Sequence, residues 1–453
     1  MLTYELKKMP GVPLYEALYR CIRSDILSGK LTAGTKLPSK RALATHLEVS
    51  KITVETAYSQ LAAEGYITPK EKVGYFVETV ETIAVVPTSS APAAEIQQKS
   101  VDLTANAPAK FPFSVWSRLQ RQVLLDHGHR LLEPMPHQGV YTLRLAIAQH
   151  LAGFRGMQVD PENIIIGAGT DFLYNLLLQL LGSDRIYALE EPGYGKIRRI
   201  YAAAGATSIP APMDSFGVIP ETITEAQVLH ISPSHHFPTG LITPQQRRQA
   251  LLRWANQGDR WIIEDDYDSE FRFDAHPMSA MYSSSEQGRV IYMNSFSKSL
   301  APSIRMGYMV LPPALMSRFR EKLGFYSCTV SAFEQHTLAR FLSEGHFEKH
   351  INRMRKFYRS RRNRLLEIIH SCRWAKKLTI EEADAGLHFL VHVDTQLSDE
   401  ALEAFCLSLG IRVRCLSRYY FGTPPEESLH RLVVNYSGLR EEDLARLAEI
   451  LGC

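Results

Sequence analysis

The chain has 453 residues, of which 45% are apolar and 22% charged, and a net charge of +3, which is typical of a soluble globular protein of two or three domains. No run of about eighteen uncharged apolar residues is present and the first residues lack an apolar signal core, so we expect a cytoplasmic protein with no membrane partner. The six cysteines form no Cys-x-x-Cys pair, which indicates reduced thiols and neither metal ligands nor a disulfide framework.

Residues 1–78 predict a small helical domain that carries the whole basic surplus, with eleven Lys and Arg against eight Asp and Glu. Apolar residues at helical spacing predict a first helix over 13–28. Ser39 and Ser50 are suited to cap two short helices joined by a tight turn, in the proportions of a helix-turn-helix. Glycine-bounded apolar segments within 65–77 suit a two-stranded wing.

The pattern predicts DNA binding through the helix that begins after Ser50. That helix would enter the major groove, and the residues nearest the base edges would be Lys51, Thr53, Val54 and Tyr58. Phosphates would be neutralised by Lys40, Arg41, Lys70 and Lys72. A helical cap on an enzyme would show the same pattern, so the residues alone leave both interpretations open.

From Leu14 to Val77 the sequence resembles the GntR type of winged helix-turn-helix. The resemblance rests on Leu37-Pro-Ser39-x-Arg41, Val49-Ser-Lys-x-Thr53-Val, Leu61-x-x-Glu64-Gly65-Tyr66 and the wing glycine Gly74. It implies that Arg41 and Lys51 contact phosphate, that Thr53 lies at the base edges and that Gly74 lets the wing approach the minor groove. Lys51 stands where the family usually has Arg. Glu55 stands where it often has a basic residue, and this side chain could accept from a cytosine amino group or face solvent.

Residues 79–100 are rich in Pro, Ala, Ser and Thr and predict a flexible linker, which would span roughly 25 Å. From residue 101 to 453, short apolar runs alternate with longer helical patterns. This alternation predicts an α/β domain with a mainly parallel sheet covered on both faces. Ligand chemistry in such sheets lies in the loops at the carboxyl ends of the strands.

Those loops carry a coherent set of groups. Gly167-Ala168-Gly169-Thr170 follows a strand and opens a helix, which suits an anion such as phosphate. Tyr194 could stack on a flat ring, and Glu264-Asp265-Asp266-Tyr267-Asp268 supplies acids and a phenol. These acids lack the glycine of a calcium loop and an accompanying His/Asp cluster, so we expect no metal. Lys298 lies among small hydroxyl residues after another strand, and Arg305 follows it.

In that order these are the parts that hold pyridoxal 5′-phosphate (PLP). Desolvation lowers the pKa of a lysine amine so that it can attack an aldehyde. An aspartate keeps the pyridine nitrogen protonated, and arginine with hydroxyl groups neutralises the phosphate.

Nearly all of residues 101–453 resembles the class I aminotransferases of PLP fold type I, with a smaller C-terminal α+β subdomain over about 345–453. The resemblance implies that Lys298 forms the internal aldimine, Asp265 pairs with the ring nitrogen, Tyr267 with the phenolate oxygen, and Tyr194 stacks on the ring. It assigns the phosphate to Ala168, Gly169, Thr170, Ser295 and Arg305. Phe237 replaces an asparagine of many aminotransferases, and the usual tyrosine before Gly139 has no clear counterpart. At most weak or partial transaminase activity is therefore expected.

The winged helix, linker and α/β domain together resemble the MocR type of bacterial regulator, as do Phe111-Pro-Phe-Ser-x-Trp116, His235-x-Phe-Pro and Asp265-Asp-Tyr-Asp-Ser-Glu-Phe271. The resemblance implies promoter DNA as a partner and a head-to-tail, domain-swapped homodimer. It also implies an arginine for an effector carboxylate, for which we favour Arg414 over Arg412, with Lys196 beside the ring. The predicted function is a regulator that senses an amine, an amino acid or PLP itself at Lys298. The alternative is a working aminotransferase with an accessory N-terminal domain.

Overall fold

The computed structural model describes residues 2–4, 13–70, 73–79, 100–105, 110–272, 279–381 and 386–452. The chain divides into two compact units, Met1–Ile96 and Gln97–Cys453. The predicted linker falls largely outside the described residues, so its extent stays a prediction. No helix within the described ranges is both long and apolar enough to cross a membrane.

The first unit is a winged helix-turn-helix, as the sequence predicts. Its elements are α1 (Leu14–Leu27), α2 (Lys40–His46), α3 (Lys51–Ala63) and the antiparallel strands β1 (Ile67–Lys70) and β2 (Gly74–Val77). The Oγ of Ser39 accepts a hydrogen bond from the Ala42 N–H at 3.2 Å, and the Oγ of Ser50 accepts one from the Thr53 N–H at 3.1 Å. Both predicted caps therefore satisfy amide groups that have no partner inside their helix.

The second unit alternates helices and strands. Its helices are α4 (Phe113–His127), α5 (Tyr141–Arg155), α6 (Thr170–Leu181), α7 (Gly195–Ala203), α8 (Gln245–Ala255), α9 (Pro313–Leu323), α10 (Ala332–Ser343), α11 (His346–Ser371), α12 (Asp399–Ser408) and α13 (Glu441–Leu451). Its strands are β3 (Val101–Asp102), β4 (Ile164–Gly167), β5 (Ile186–Glu191), β6 (Thr207–Asp214), β7 (Gly217–Val218), β8 (Val228–Ile231), β9 (Trp261–Asp265), β10 (Val290–Ser295), β11 (Gly307–Val310), β12 (Leu378–Glu381), β13 (His388–Val393), β14 (Ile411–Arg412), β15 (Arg414–Cys415) and β16 (Arg431–Asn435).

The main sheet has the strand order β4-β11-β10-β9-β8-β5-β6-β7. Pairing is parallel from β10 through β9, β8 and β5 to β6, and antiparallel at β11 and at β7. Every residue of β8, β9 and β10 is buried. Continuous burial of this kind is expected when both faces of a parallel sheet are covered, so the prediction of a mainly parallel, two-sided α/β sheet is confirmed.

The carboxyl ends of the parallel strands meet at one edge of this sheet. Asp265 ends β9 opposite Met293, and Ser295 ends the neighbouring β10 two residues later. A smaller antiparallel sheet, β12-β13-β16-β15, forms in the C-terminal part of the chain, and there His388 pairs with Asn435. Both of these residues line the same cavity as the strand ends.

Candidate functional site

A cavity of about 270 Å³ lies at the carboxyl edge of the main sheet. Parallel strands direct their loops to this edge, so residues far apart in sequence converge there. The predicted cofactor residues that line the cavity are Thr170, Tyr194, Asp265, Tyr267, Ser295, Lys298 and Arg305. Ala168 and Gly169 form the turn just before Thr170.

Lys298 follows the end of β10, and its amine is enclosed although the residue as a whole is only partly buried. Desolvation lowers the pKa of the amine to about 8, against a smaller opposing effect of the Asp268 carboxylate. A lysine with this pKa has a much larger neutral fraction near neutral pH than an ordinary lysine. It can therefore act as a nucleophile towards an aldehyde.

One carboxylate oxygen of Asp265 accepts a hydrogen bond from a buried tyrosine, and the other has no partner among the described residues. The hydroxyl of Tyr174 donates to Oδ2 of Asp265. Burial, followed by the charge of Asp265, raises the pKa of Tyr174 well above its ordinary value, so the phenol keeps its proton. On the same side, the Nε2 of His230 lies 3.5 Å from Oδ2. The Oδ1 of Asp265 is buried and has no hydrogen-bond partner among the described residues. A carboxylate oxygen in this state fits a protonated ring nitrogen.

The turn at Gly169 brings the backbone against the guanidinium of Arg305. Gly169 has a φ of 83°, and a β-carbon there would lie 2.8 Å from Nη2 of Arg305. The same Nη2 lies 3.2 Å from Oδ2 of Asp171, and Nζ of Lys196 lies 2.7 Å from that oxygen. Burial raises the pKa of Asp171, but the hydrogen bonds and charges of Lys196 and Arg305 outweigh it and lower the pKa overall. One anion between two cations leaves a net positive charge at the start of α6, which fits a phosphate.

Tyr267 belongs to a buried polar cluster with two other side chains. The Nδ1 of His235 lies 2.9 Å from Oδ2 of Asp268 and 3.1 Å from the hydroxyl of Tyr267. Because an ionised carboxylate only accepts hydrogen bonds, we assign the proton to Nδ1, which donates to Asp268. The hydroxyl hydrogen of Tyr267 then remains available for an acceptor in the cavity, such as the phenolate oxygen of a ring.

The aromatic residues Tyr194 and Phe237 both line the cavity. The ring of Tyr194 meets the ring of Phe237 edge-on at 5.8 Å, and Phe237 meets Tyr419 in the same manner at 5.4 Å. Phe237, which stands where many aminotransferases have asparagine, therefore supports Tyr194 by packing. It has no donor to offer to a ring oxygen.

The structure does not bring Arg412 or Arg414 to this cavity, which contradicts their predicted role at an effector carboxylate. Their neighbours Ile411, Val413 and Cys415 are buried, so the alternation along β14 and β15 turns both arginines to the exposed face. Lys196 does line the cavity, but it is paired with Asp171.

In the winged helix, Lys51 and Arg41 are exposed at the start of α3 and on α2, respectively. The Oγ1 of Thr53 lies 2.8 Å from Oγ of the capping Ser50. The prediction that Val54 and Tyr58 lie near the base edges is wrong, because both are fully buried in the core of the unit. The hydroxyl of Tyr58 donates to the Pro38 carbonyl at 3.0 Å, which ties α3 to the segment before α2.

Lys40 and Glu55 form an ion pair that the sequence did not predict. Nζ of Lys40 lies 2.7 Å from Oε1 of Glu55 and 5.3 Å from the ring centre of Tyr75. The hydrogen bond raises the pKa of Lys40 and lowers that of Glu55. Glu55 therefore faces Lys40. Because Lys40 is paired with this carboxylate, it is not free to contact a DNA phosphate in this conformation.

The wing carries an exposed lysine and a crowded glycine. Nζ of Lys70 lies 4.8 Å from the ring centre of Phe76. Gly74 has a φ of 131°, and a β-carbon there would lie 3.3 Å from Cε of Lys36. Lys72, which was also predicted to contact phosphate, lies outside the described residues.

Several residues of the cavity were not assigned by sequence reasoning. Tyr174 lies one helical turn after Thr170, and this i, i+4 spacing could have identified it. Asp268 lines the cavity as well, and the sequence motif that contains it predicts no role for it. His235, which contacts Asp268, is not among the described lining residues. His388 comes from the C-terminal sheet, and no sequence pattern around it predicts that it lies in the cavity.

Comparison with known proteins gives matches to both units. The family model "Bacterial regulatory proteins, gntR family" matches residues 14–77. The chain is 36% identical to the uncharacterized HTH-type transcriptional regulator YdeL of Bacillus subtilis, over 98% of this chain and 97% of that protein. It is 33% identical to the probable rhizopine catabolism regulatory protein MocR of Rhizobium meliloti, over 96% of this chain and 92% of that protein.

Two further matches concern pyridoxine biosynthesis and the fold. The HTH-type pyridoxine biosynthesis transcriptional regulator PdxR of Corynebacterium glutamicum is 31% identical over 95% of this chain and 93% of that protein. Among solved structures, kynurenine aminotransferase of Pyrococcus horikoshii matches with a TM-score of 0.68 and 23% identity, over 79% of this chain and 91% of that one. This structural match identifies the fold of the second unit as that of the fold type I aminotransferases.

Proposed function

The chain belongs to the MocR type of GntR-family transcriptional regulators, and from this premise we propose that it binds PLP at Lys298 and reports an amine, an amino acid or PLP itself to its DNA-binding domain. The observation that carries the proposal is the desolvated amine of Lys298, in one cavity with the unpartnered Oδ1 of Asp265. A desolvated lysine with a lowered pKa inside a cavity is typical of an amine that reacts.

The residues of the cavity fit PLP at each of its polar groups. Asp265 would hold the ring nitrogen and Tyr267 the phenolate oxygen, while Tyr194 would stack on the ring. Ala168, Gly169, Thr170, Ser295 and Arg305 would hold the phosphate. When bound, PLP supplies an aldehyde that condenses reversibly with primary amines.

The side chains of the cavity prepare this chemistry through charge and desolvation. The lowered pKa of Lys298 raises the fraction of neutral amine near physiological pH, and the nearby Asp268 carboxylate stabilises that amine when it is protonated. Tyr174 holds Asp265 in place, since its hydroxyl donates to Oδ2 and leaves Oδ1 for the ligand.

We propose that the signal is transmitted within a head-to-tail, domain-swapped homodimer whose chains each comprise domains 1–78 and 101–453 joined by a linker over 79–100. An effector that competes with Lys298 would favour one arrangement of the dimer, provided that it binds the two arrangements with unequal affinity. On the DNA side, Arg41, Lys51 and Lys70 would contact phosphates, and Thr53 would face the bases. The cytoplasm is the expected location.

The possibility that PLP itself is the signal is supported by the similarity to PdxR, a regulator of pyridoxine biosynthesis. Single-turnover spectroscopy with candidate amines, with and without promoter DNA, tests the proposal. We expect a slow or stalled spectral change with each active amine and a change in DNA affinity at the same ligand concentration. Complete cofactor conversion at about one per second or faster, without any effect on DNA binding, would instead indicate an aminotransferase.

A further inference from the structure

A second cavity, of about 230 Å³, lies in the C-terminal part of the second unit. Protein interiors are close-packed, and voids larger than a water molecule are rare. A space of about 230 Å³ exceeds the roughly 150 Å³ of an apolar protein cavity that binds benzene, so an organic molecule fits in it. The residues that line it come from three helices and the antiparallel sheet, and they include Leu365 of α11, Phe405 and Cys406 of α12, Leu447 of α13, Val391 of β13 and Val434 of β16.

The polar lining residues of this apolar cavity lie together at one end. Lys377 precedes β12, and Asp394 and Thr395 follow β13. The Asp394 N–H donates to the Lys377 carbonyl at 2.8 Å, and both residues are exposed, so this end faces solvent. One positive and one negative side chain favour neither an anion nor a cation there. The other described lining residues are hydrophobic, so a charged molecule would lose hydration without gaining a partner.

The apolar cavity and the cavity around Lys298 share two strands. In β13, His388 lines the cavity around Lys298, and Val391 lines the apolar cavity. In β16, Asn435 lines the first cavity, and Val434 lines the second. The two strands are paired along their length. They therefore form a common wall, through which a ligand in one cavity can change the affinity of the other.

The first strand after the predicted linker is bonded to the same wall. Val101 begins β3, which pairs with β14, and Leu103 just after β3 lines the apolar cavity. The Leu103 N–H donates to the Arg412 carbonyl at 2.8 Å, and the Leu103 carbonyl accepts from the Asn435 N–H at 2.8 Å. The chain that follows the linker is thus hydrogen-bonded, through Asn435, to a strand that serves both cavities.

We propose that the apolar cavity binds a small neutral apolar molecule, somewhat larger than benzene, as a second effector that changes the PLP affinity of the cavity around Lys298. The volume sets the size of this ligand, and the hydrophobic lining with balanced charges at the open end sets its neutrality. The site itself is independent of the function proposed above, but its effect on PLP rests on that function. The effect requires unequal ligand affinity for the PLP-loaded and PLP-free forms.

Three ligands with similar carbon skeletons test the neutrality of the site. They are n-butylbenzene, 4-phenylbutanoate and trimethyl(3-phenylpropyl)ammonium, and the last has no N–H with which to react with an aldehyde. Calorimetry on full-length, PLP-loaded protein measures each affinity, and the fluorescence of Trp374, which lines the cavity, reports occupancy. We expect the hydrocarbon to bind about tenfold or more tightly than either ion. An ion that binds as tightly as the hydrocarbon would overturn the assignment, as would the failure of all three to bind.

Substitutions on α12 place the bound hydrocarbon in this cavity. Cys406→Phe should abolish the binding of n-butylbenzene because the added ring occupies the cavity, and the smaller enlargement Cys406→Leu should weaken it. Leu407→Phe is the matched control and should leave the affinity unchanged, since Leu407 is 54% exposed and is not among the described lining residues. Wild-type affinity in both Cys406 variants would overturn the site.

The effect on the cavity around Lys298 is tested by linkage. Saturating n-butylbenzene should change the PLP affinity about fivefold or more, and PLP should change the affinity for n-butylbenzene by the same factor. Equal PLP affinities with and without the hydrocarbon would refute the effector role. Protein that never incorporates PLP would refute the function proposed above, whereas hydrocarbon binding that Cys406→Phe abolishes would still support the apolar site.

Discussion

A β-carbon on Gly169 would lie 2.8 Å from Nη2 of Arg305, so no side chain fits between the backbone at this glycine and the guanidinium. Gly169 also has a φ of 83°, a region that residues with a β-carbon rarely adopt. Gly169 and Arg305 both belong to the proposed phosphate site, and their contact sets the position of the guanidinium there. A substitution of the glycine must move either the turn or the arginine.

Gly169→Ala should weaken PLP affinity about tenfold or more, because it displaces the charge-assisted contacts of Arg305 with the phosphate. Gly205→Ala is a matched control, since Gly205 has a φ of 77° and open space around its α-carbon. Both variants carry a conformational strain of order 1–3 kcal/mol. Equal PLP affinities for the two variants, measured by fluorescence titration, would contradict the assignment of the phosphate site.

The rate at which the apoprotein incorporates PLP should depend on pH through Lys298. Its pKa is lowered to about 8, so the fraction of reactive neutral amine rises with pH, with its midpoint near that value, and levels off well above it. Asp268→Asn should shift the midpoint to lower pH, because the Asp268 carboxylate raises the pKa of Lys298. Stopped-flow absorbance gives the profile, with Nα-acetyl-lysine, which keeps its ε-amine free, as the solution reference. A midpoint at the ordinary lysine value of about 10.4 would refute the desolvation argument.

Tyr174→Phe should lower PLP affinity about tenfold, because the hydrogen bond that it removes is made to a charged group. The hydroxyl of Tyr174 donates to the carboxylate proposed to hold the ring nitrogen. Tyr187→Phe removes a buried hydroxyl that donates to the Gly182 carbonyl at 2.8 Å, and it should leave the PLP affinity unchanged. If both variants bind PLP with the affinity of the wild type, the hydrogen bond from Tyr174 to Asp265 does not contribute to PLP binding.

Because Glu55 is paired with Lys40, we expect two substitutions in the first unit to change the DNA affinity in opposite directions. Lys51→Ala should weaken binding to nonspecific duplex DNA and reduce the salt dependence by about one phosphate contact. Glu55→Gln should strengthen binding and raise the salt dependence by up to about one contact, because it frees Lys40 and removes a negative charge. Fluorescence anisotropy at several salt concentrations measures both. Weaker binding by Glu55→Gln would show that the pair positions Lys40 for DNA.

The fold was predictable because its signals are local. Serine caps, helical periods and apolar strands fix the winged helix and the α/β sheet, and parallel strands then bring their carboxyl ends together. Thus Asp265, Tyr267 and Lys298 could be expected in one cavity without any knowledge of contacts.

The parts that could not be predicted depend on distant contacts. His388 reaches the cavity from a separate antiparallel sheet, and the pair of Lys40 with Glu55 joins two helices. Alternation does place Arg412 and Arg414 on one face, but it cannot say whether that face is turned to a cavity or to solvent. Only the burial of Ile411, Val413 and Cys415 decides that it is the exposed one. The predictions for Val54 and Tyr58 were wrong for the same reason, since the position of a residue along a helix does not by itself show whether it faces the groove or the core.

Borohydride reduction of the PLP-loaded protein, followed by peptide mass analysis, tests the central claim most directly. The account predicts that the reduced cofactor adds its mass to the peptide that contains Lys298, that Lys298→Ala abolishes the addition, and that Lys196→Ala retains it. No added mass, or a mass on any other lysine, would contradict it.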